Sequence, residues 1–553
     1  MKTQMTLTSI GVCLLLAVAC NPLDLGPKDQ ISDASFWKTP DEFKLAANDF
    51  YFSLEGPNYT EVNSDIAFGS GATVELSAVS NGSYLPPANS LLWDGSYAGI
   101  RATNYLLQKA VESGLGAQID RWVAEARFFR AYYYWNLAKT YGGVPLITKV
   151  LDVTSGEVYT PRSTQQEVID FIISDLDTAV SKLLKQSALS GAELGRVTQG
   201  AALALKARAA LYQGTWFKYH GGGDPTPYLA AAISAAQQLI ASGEYQLYTD
   251  HGPDSSYKFL FILQGDDSKE VILARRFWAG RATHNWTREL WFNFMIPTKT
   301  LADLYLCTDG LPVTSSPLFQ GYDSLMTTEF QNRDPRMAMT FIVPGSKRFG
   351  EGGVMAPIFP GFSGTNATRT GYMIRKFLDE TIDATLKVGQ YDFKEFRYGE
   401  VLLILAEALY ERDGQISDAG LDSTINLLRA RVGMPRLTNA HVTTNGLNML
   451  TEIRRERTVE LAFEGFRRDD LRRWKTAEQV MPLAIRGVKF VGTEYQQRDS
   501  TLVVGTDIQV DANGFVVVEA AGSRQFLPKH YLDPIPLQQV QLSKGTLTQN
   551  PGW

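Results

Sequence analysis

Between residues 120 and 141 the chain sets Trp122, Ala126, Phe129, Tyr133 and Leu137 at steps of three or four residues. That step is the period of an α-helix with one apolar stripe, and a stripe of such large side chains has to be buried against other elements. Gly142-Gly143 ends the helix and Val144-Pro145 turns the chain. Similar patterns predict helices over Tyr97 to Val111, Thr164 to Leu184, Thr198 to Phe217, Tyr228 to Ser242, Phe396 to Arg412, Ser417 to Val432 and Met449 to Ala462. Several read as helix–short loop–helix pairs. Arg208 to Gly214 precedes the Ala-rich run Ala230 to Ile240, and Ala406 to Tyr410 precedes Ala419 to Leu428. Small residues at such positions let two helices approach closely, as in tetratricopeptide repeats, although the spacing here is irregular. The expected fold is therefore mostly α. Tetratricopeptide-like helical pairs form the scaffold, with few short strands and long irregular loops over 243–297, 309–395 and 481–536. Loops of that length in a compact protein are usually functional.

The amino-terminal residues predict export. Lys2 is followed by a short apolar run, Leu7 to Ala19, that is too short to span a bilayer comfortably and ends in Ala17-Val18-Ala19-Cys20. Small residues before a cysteine resemble a bacterial lipobox, with Ala17 in place of the usual leucine. Residues 1–19 are expected to be a signal peptide and 20–34 a lipidated tether starting at Cys20, which would be anchored by several acyl chains. The remainder, 35–553, reads as the folded part, with an N-terminal half of about 35–245 and a C-terminal half of about 246–553. Removing Cys13 with the signal and lipidating Cys20 leaves Cys307 alone, so no internal disulfide or cysteine metal site can form.

Several chemistries find no support. A net charge of -6 lacks the basic surplus that nucleic acid demands. The five histidines are scattered without HExxH spacing, and neither a metal nor a cofactor is expected. Gly361-Phe362-Ser363-Gly364 does not make a nucleophile elbow, and no phosphate-binding glycine loop is present. Glu456, Glu460 and Glu464 share one predicted helix face, which invites a glycosidase reading. Arg457, Arg467, Arg472 and Arg473 lie close by, however, and would hold such carboxylates ionised, so a structural ion-pair network is expected. Glu400 and Glu407 are read in the same way.

An ordered set of segments resembles a known family. Ser35-Phe36-Trp37-Lys38-Thr39 comes first, then Arg127 to Tyr134 running into Tyr141-Gly142-Gly143-Val144-Pro145-Leu146. Asp309-Gly310-Leu311-Pro312, Arg333-Asp334-Pro335-Arg336 and Arg397-Tyr398-Gly399-Glu400 follow. Glu460-Leu461-Ala462-Phe463-Glu464-Gly465, Asp470-Leu471-Arg472-Arg473-Trp474 and the closing Asn550-Pro551-Gly552-Trp553 complete it. The chain looks like a SusD/RagB-type nutrient-binding lipoprotein over its whole mature length. Arg468-Asp469 departs from the aromatic pair more usual there, and a local packing change is expected. The resemblance implies a helical scaffold with ligand loops and a non-enzymatic role on the outer face of the outer membrane. It also implies a TonB-dependent transporter (SusC-like) as partner and a glycan or oligosaccharide as cargo. Two other readings compete: a surface glycan hydrolase, and a peptide-binding or scaffold lipoprotein.

Loop aromatics beside polar residues are the expected ligand contacts, because sugar rings stack their C–H faces on aromatics while hydroxyls need hydrogen-bond partners. Three clusters qualify: Asn81, Tyr84 and Trp93; His284, Trp286, Arg288, Trp291 and Phe292; and Tyr322, Phe359, Phe362 and Asn366. Each competes with ordinary core packing, Trp93 most of all.

Overall fold

A computed structural model of the protein describes residues 33, 35–152, 154–349, 354–364, 367–380 and 388–553. Cys20 and Asn366 lie outside the described residues. Helix α1 (Pro40–Asp49) opens with a capping box between Thr39 and Glu42. The long helices follow: α2 (Leu91–Ser113), α3 (Asp120–Tyr141), α4 (Gln165–Val180), α5 (Gln199–His220) and α6 (Thr226–Ala241). Their starts are set locally. Ser90 accepts from the Trp93 N–H, Thr164 forms a capping box with Glu167, and Thr198 accepts from the Ala201 N–H.

Each of these helices packs on the next, α2 on α3 through α5 on α6. The close approach that small residues predicted is real. A Cβ on Gly214 would lie 2.8 Å from the Leu229 side chain, so α5 and α6 meet where α5 carries no side chain. The expected stripe on α3 understates its burial. Phe128, Ala131, Tyr132, Tyr134, Trp135 and Ala138 are buried as well, because α3 is covered on several sides. At its end Gly142 takes φ +74°, and a Cβ on Gly143 would lie 2.1 Å from the Ser163 carbonyl oxygen.

The stack continues after a long excursion. That excursion contains the short helix α7 (Trp286–Trp291), after which α8 (Tyr398–Asp413) packs on α6 and α10 (Met449–Glu460) packs on α8. The expected helix from Ser417 to Val432 is interrupted. It comprises Asp418–Asp422 and α9 (Ile425–Arg431), broken at Thr424, whose φ of -136° and ψ of -97° are not helical. Helix α11 (Arg467–Arg473) follows. The helical core draws Ile272, Leu273 and Phe396 to Ala408 from beyond residue 245, so the two sequence halves share one core.

The long loops build a second core of their own around Tyr257, Trp286, Tyr305, Phe341, Tyr372 and Phe377. Short antiparallel pairs frame it: β1 (Ala67–Gly69) with β3 (Met295–Pro297), and β2 (Val271–Arg275) with β6 (Phe393–Arg397). Two more pairs are β4 (Lys347–Phe349) with β5 (Met355–Pro357), and β7 (Ile485–Lys489) with β8 (Phe515–Glu519).

Buried ion pairs join the helical stack to the loops. Five carboxylates (Glu270, Asp334, Glu456, Glu460, Glu464) face five cations (Arg336, Lys376, Arg397, Arg429, Arg431). Glu460 alone meets Arg431 at 2.6 Å, Arg397 at 2.8 Å and Arg336 at 3.0 Å. Burial would raise its carboxyl, but those three charges outweigh burial and hold it far below the usual range. Glu464 lies beyond the end of α10 rather than on it, yet still reaches Arg397 at 2.6 Å. Glu400 pairs with Arg208 at 2.7 Å, and Glu407 takes the Arg473 fork and the Trp474 indole N–H. All five glutamates that invited a catalytic reading are therefore structural. The departure at Arg468-Asp469 also has a local account: Arg468 reaches Asp533 at 2.6 Å, which also accepts from the Tyr84 hydroxyl.

Candidate ligand-binding groove

A concavity beside exposed aromatics lies between two loop segments. The first leaves the helical core at Leu54 and runs through Glu55-Gly56-Pro57-Asn58. It is folded by the Asn58 side chain, whose Oδ1 accepts from the Thr60 N–H at 2.9 Å while its Nδ2 donates to the Gly56 carbonyl at 3.2 Å. The second leaves strand β2 at Arg275. The Phe277 N–H donates to Asp392 at 2.8 Å, and Trp278 then closes a tight turn by exchanging backbone bonds with Ala282. Gly280 supplies the left-handed conformation that turn requires, with φ +78°. The turn holds the Trp278 ring outward, 51% exposed.

Two adjoining depressions result. The larger, about 690 Å³, is lined by Glu55, Asn58, Tyr59, His284, Asn285 and Glu289. The smaller, about 370 Å³, is walled by Tyr51, Phe52, Leu194, Arg196 and Trp278, with Phe52 78% exposed at its edge. Arg275 and Phe277 border both, so the two lie side by side as a groove with a polar half and an apolar half.

The polar end is held fixed by its own hydrogen bonds. Tyr59 donates to Glu289 at 2.6 Å, and the Asn285 amide donates to the other Glu289 oxygen. Burial, aided by the hydrogen bond to Glu289, pushes the Tyr59 phenol well above its usual range, so it stays a donor. Burial lowers His284 to about 4, and it is neutral at pH 7. Its Nδ1 accepts from the Trp286 N–H at 3.2 Å, which leaves Nε2 protonated to donate to the Tyr391 carbonyl at 3.1 Å. Neither imidazole nitrogen is left to move a substrate proton. This arrangement can stack rings and exchange hydrogen bonds.

The sequence-predicted residues do not converge here as a set. His284 and Trp286 line the groove, but Trp286 is only 2% exposed and packs its ring 5.0 Å from Tyr59. An indole so covered has no free face for a sugar, so it supports the groove floor instead. Trp291 is buried under the Arg348 guanidinium at 3.7 Å, and Arg288 stacks on Phe292 at 4.7 Å outside the groove lining. Trp93 is core, packed against Tyr97 and Tyr141. Asn81 donates to Glu519, and Tyr84 packs on Trp553 at 4.9 Å, tying that loop to the carboxy-terminal tail. Phe362 packs on Phe490 and borders a separate depression of about 410 Å³.

The groove residues passed over in the sequence include Phe52, Glu55, Asn58, Arg275, Phe277 and Trp278. One local signal was available: the aromatic pair Phe277-Trp278 directly precedes Ala279-Gly280, a turn sequence that leaves a large ring without a helix or strand to cover it.

Comparisons with known proteins agree with this architecture. The SusD family model matches residues 263–553, and a second model, described as starch-binding associating with outer membrane, matches residues 55–211. The SusD-like protein P38 of Formosa agariphila is 25% identical over 504 residues, covering 87% of this chain and 92% of that protein. A SusD-like carbohydrate binding protein from Bacteroides fragilis superposes with a TM-score of 0.75 at 25% identity, covering 93% of this chain and 99% of that one. Another SusD-like protein from the same species gives 0.76 at 25% identity, covering 95% and 100%. With a family model spanning more than half of its length and near-complete structural coverage of these relatives, the chain belongs to the SusD family.

Proposed function

We propose that this protein binds a glycan at the groove between Leu54–Thr60 and Arg275–Glu289 without altering it. It then passes the glycan to a TonB-dependent transporter of the outer membrane. The observation that carries the binding reading is the half-exposed Trp278 ring beside Phe277 and Phe52, adjoining a polar wall of Asn58, Asn285 and Glu55. Sugar recognition needs that pairing of apolar faces with hydrogen-bonding edges. A relative described as a carbohydrate binding protein supports the same reading. Catalysis finds less support. The groove carboxylate Glu289 already accepts from Tyr59 and Asn285, and the glutamates read from sequence as a possible acid–base set are locked in ion pairs. Lipid attachment at Cys20 and an outward-facing position in the outer membrane complete the proposal, and the description of the second family model supports that location.

The test is calorimetric titration of a chain starting at Ser35 with a panel of purified polysaccharides, followed by chromatography of each mixture. Binding with unchanged chain length is expected. Shortened products that disappear on Glu289→Gln would replace the binding reading with a hydrolase. Absence of binding across the panel would remove the glycan assignment. For the partner, mild-detergent purification from native membranes is expected to recover a large β-barrel protein in equal amount. Recovery of this protein alone would count against the transporter.

A further inference from the structure

Three arginines line the apolar depression: Arg196, Arg275 and Arg276. Two are neutralised from behind. Arg196 forks onto Glu125 at 2.6 Å, and Arg276 reaches Asp267 at 3.0 Å and Asp392 at 3.2 Å. Among the described residues Arg275 has no carboxylate within ion-pair distance, and its one side-chain hydrogen bond runs from Nη1 to the Leu54 carbonyl at 3.1 Å. That bond holds the guanidinium where the two depressions meet, beside Phe277 at 5.5 Å, with Nε and Nη2 making no hydrogen bond among the described residues. Among the described residues no Asp or Glu lines the apolar depression; Glu55 and Glu289 line the larger one, which Arg275 also borders. A pre-positioned fork with no ion-pair partner among the described residues, close to an exposed tryptophan, is suited to a ring that carries a planar or tetrahedral anion.

We infer that the groove selects an acidic saccharide, one bearing a carboxylate or sulfate, with Arg275 as the residue that reads the anion and Trp278 as the surface that takes the ring. This inference rests on the glycan-binding reading and deepens it. Folding does not account for the lone charge. The anchor to Leu54 engages only Nη1, so the rest of the fork stays available to a ligand.

The experiment titrates matched pairs: polygalacturonate against its carboxyl-reduced form, and a sulfated galactan against its desulfated form. At least one acidic member is expected to bind about tenfold or more tightly than its neutral counterpart, since a hydrogen bond to a charged group is worth that much. The preference should fall with added sodium chloride. Arg275→Gln is expected to abolish the preference, so that each acidic member falls to the affinity of its neutral counterpart in the same variant, while Trp278→Ala weakens both members of a pair. Arg275→Lys, which keeps the charge but not the fork, should retain part of the preference and controls for loss of folding. Equal binding of both members of every pair would overturn the acidic assignment while leaving glycan binding intact. An acid preference that survives Arg275→Gln would overturn the role of Arg275. Binding of none of these probes, nor of any panel glycan, would overturn the glycan reading and this inference with it.

Discussion

Removing the Trp278 ring tests the groove at its most exposed point. A tryptophan offers about 250 Å² of surface, and at 51% exposure about 130 Å² of it faces water. A sugar covering one side of the ring would bury about half of that. At about 25 cal/mol per Å² this gives about 1.6 kcal/mol, a factor of about 15 in Kd. Trp278→Ala is therefore expected to weaken glycan binding by about that factor in a calorimetric titration, and Trp278→Phe by much less. Stability should hardly change, because the ring belongs to neither core and its turn is held by backbone bonds between Trp278 and Ala282. Affinity within twofold of the parent, in a variant with unchanged thermal midpoint, would refute stacking at this position. A large drop in the midpoint would refute the separation of groove from core.

The buried network makes a second test. Glu460→Gln leaves Arg336, Arg397 and Arg431 short of a shared carboxylate, and a loss of about 3–5 kcal/mol is expected in denaturant titration. Because its folded carboxyl is held below the ordinary value of 4.5, Glu460 stabilises fully above that pH and loses its effect as the pH falls further. Glu61 works in the other direction: burial raises it to about 7, so its contribution declines as the pH rises from 4.5 through 7. In a differential scanning series Glu61→Gln is expected to lessen the fall of the thermal midpoint between pH 4.5 and 7, and Glu460→Gln to lessen its fall below pH 4.5; profiles parallel to the parent would contradict these assignments. Gly143→Ala puts a methyl against the Ser163 carbonyl oxygen and is expected to cost about 1–3 kcal/mol, measurable as a lowered midpoint. Cys20→Ala is expected to release the protein from the membrane fraction or to leave the signal uncleaved; a mature, salt-resistant membrane form would refute lipid attachment there.

The helical scaffold was legible because its causes are local. A 3.6-residue period, a capping residue and a terminating glycine all act within a few positions, so α3, α4 and α5 could be placed to within a few residues of where they lie. The loop core was not, since its pairings join distant segments. Phe68 meets Ile296 and Leu273 meets Phe396, and nothing in either member of a pair names the other. The same distance effect misled the site reading. Trp286 looked like a free loop aromatic because the residue that covers it, Tyr59, lies more than two hundred positions earlier. Charge was legible by type but not by partner. The arginine surplus near Glu460 correctly signalled ion pairs, yet Arg336, Arg397 and Arg431 come from three separate segments.

These two facts bear on how the groove can work. The ion-pair network joins the loops to the helical stack through Arg397 at the end of β6, the strand that pairs with β2, whose last residue is Arg275. Arg397 is opposite Val271 in that register, and Phe393 is opposite Arg275. The strand that presents the groove cation is thus tied at its other end to buried charges that resist displacement. A buried ion pair is a poor source of net stability compared with a well-packed apolar core, but it strongly penalises small shifts of either partner. Placing it under a ligand surface favours a groove whose two walls keep their spacing when cargo arrives. Recognition would then depend on a preformed groove rather than on folding around the ligand, which lowers the ordering cost of binding. Under the proposed delivery to a transporter, release of cargo would consequently fall to motion of the whole protein rather than to the walls of the groove.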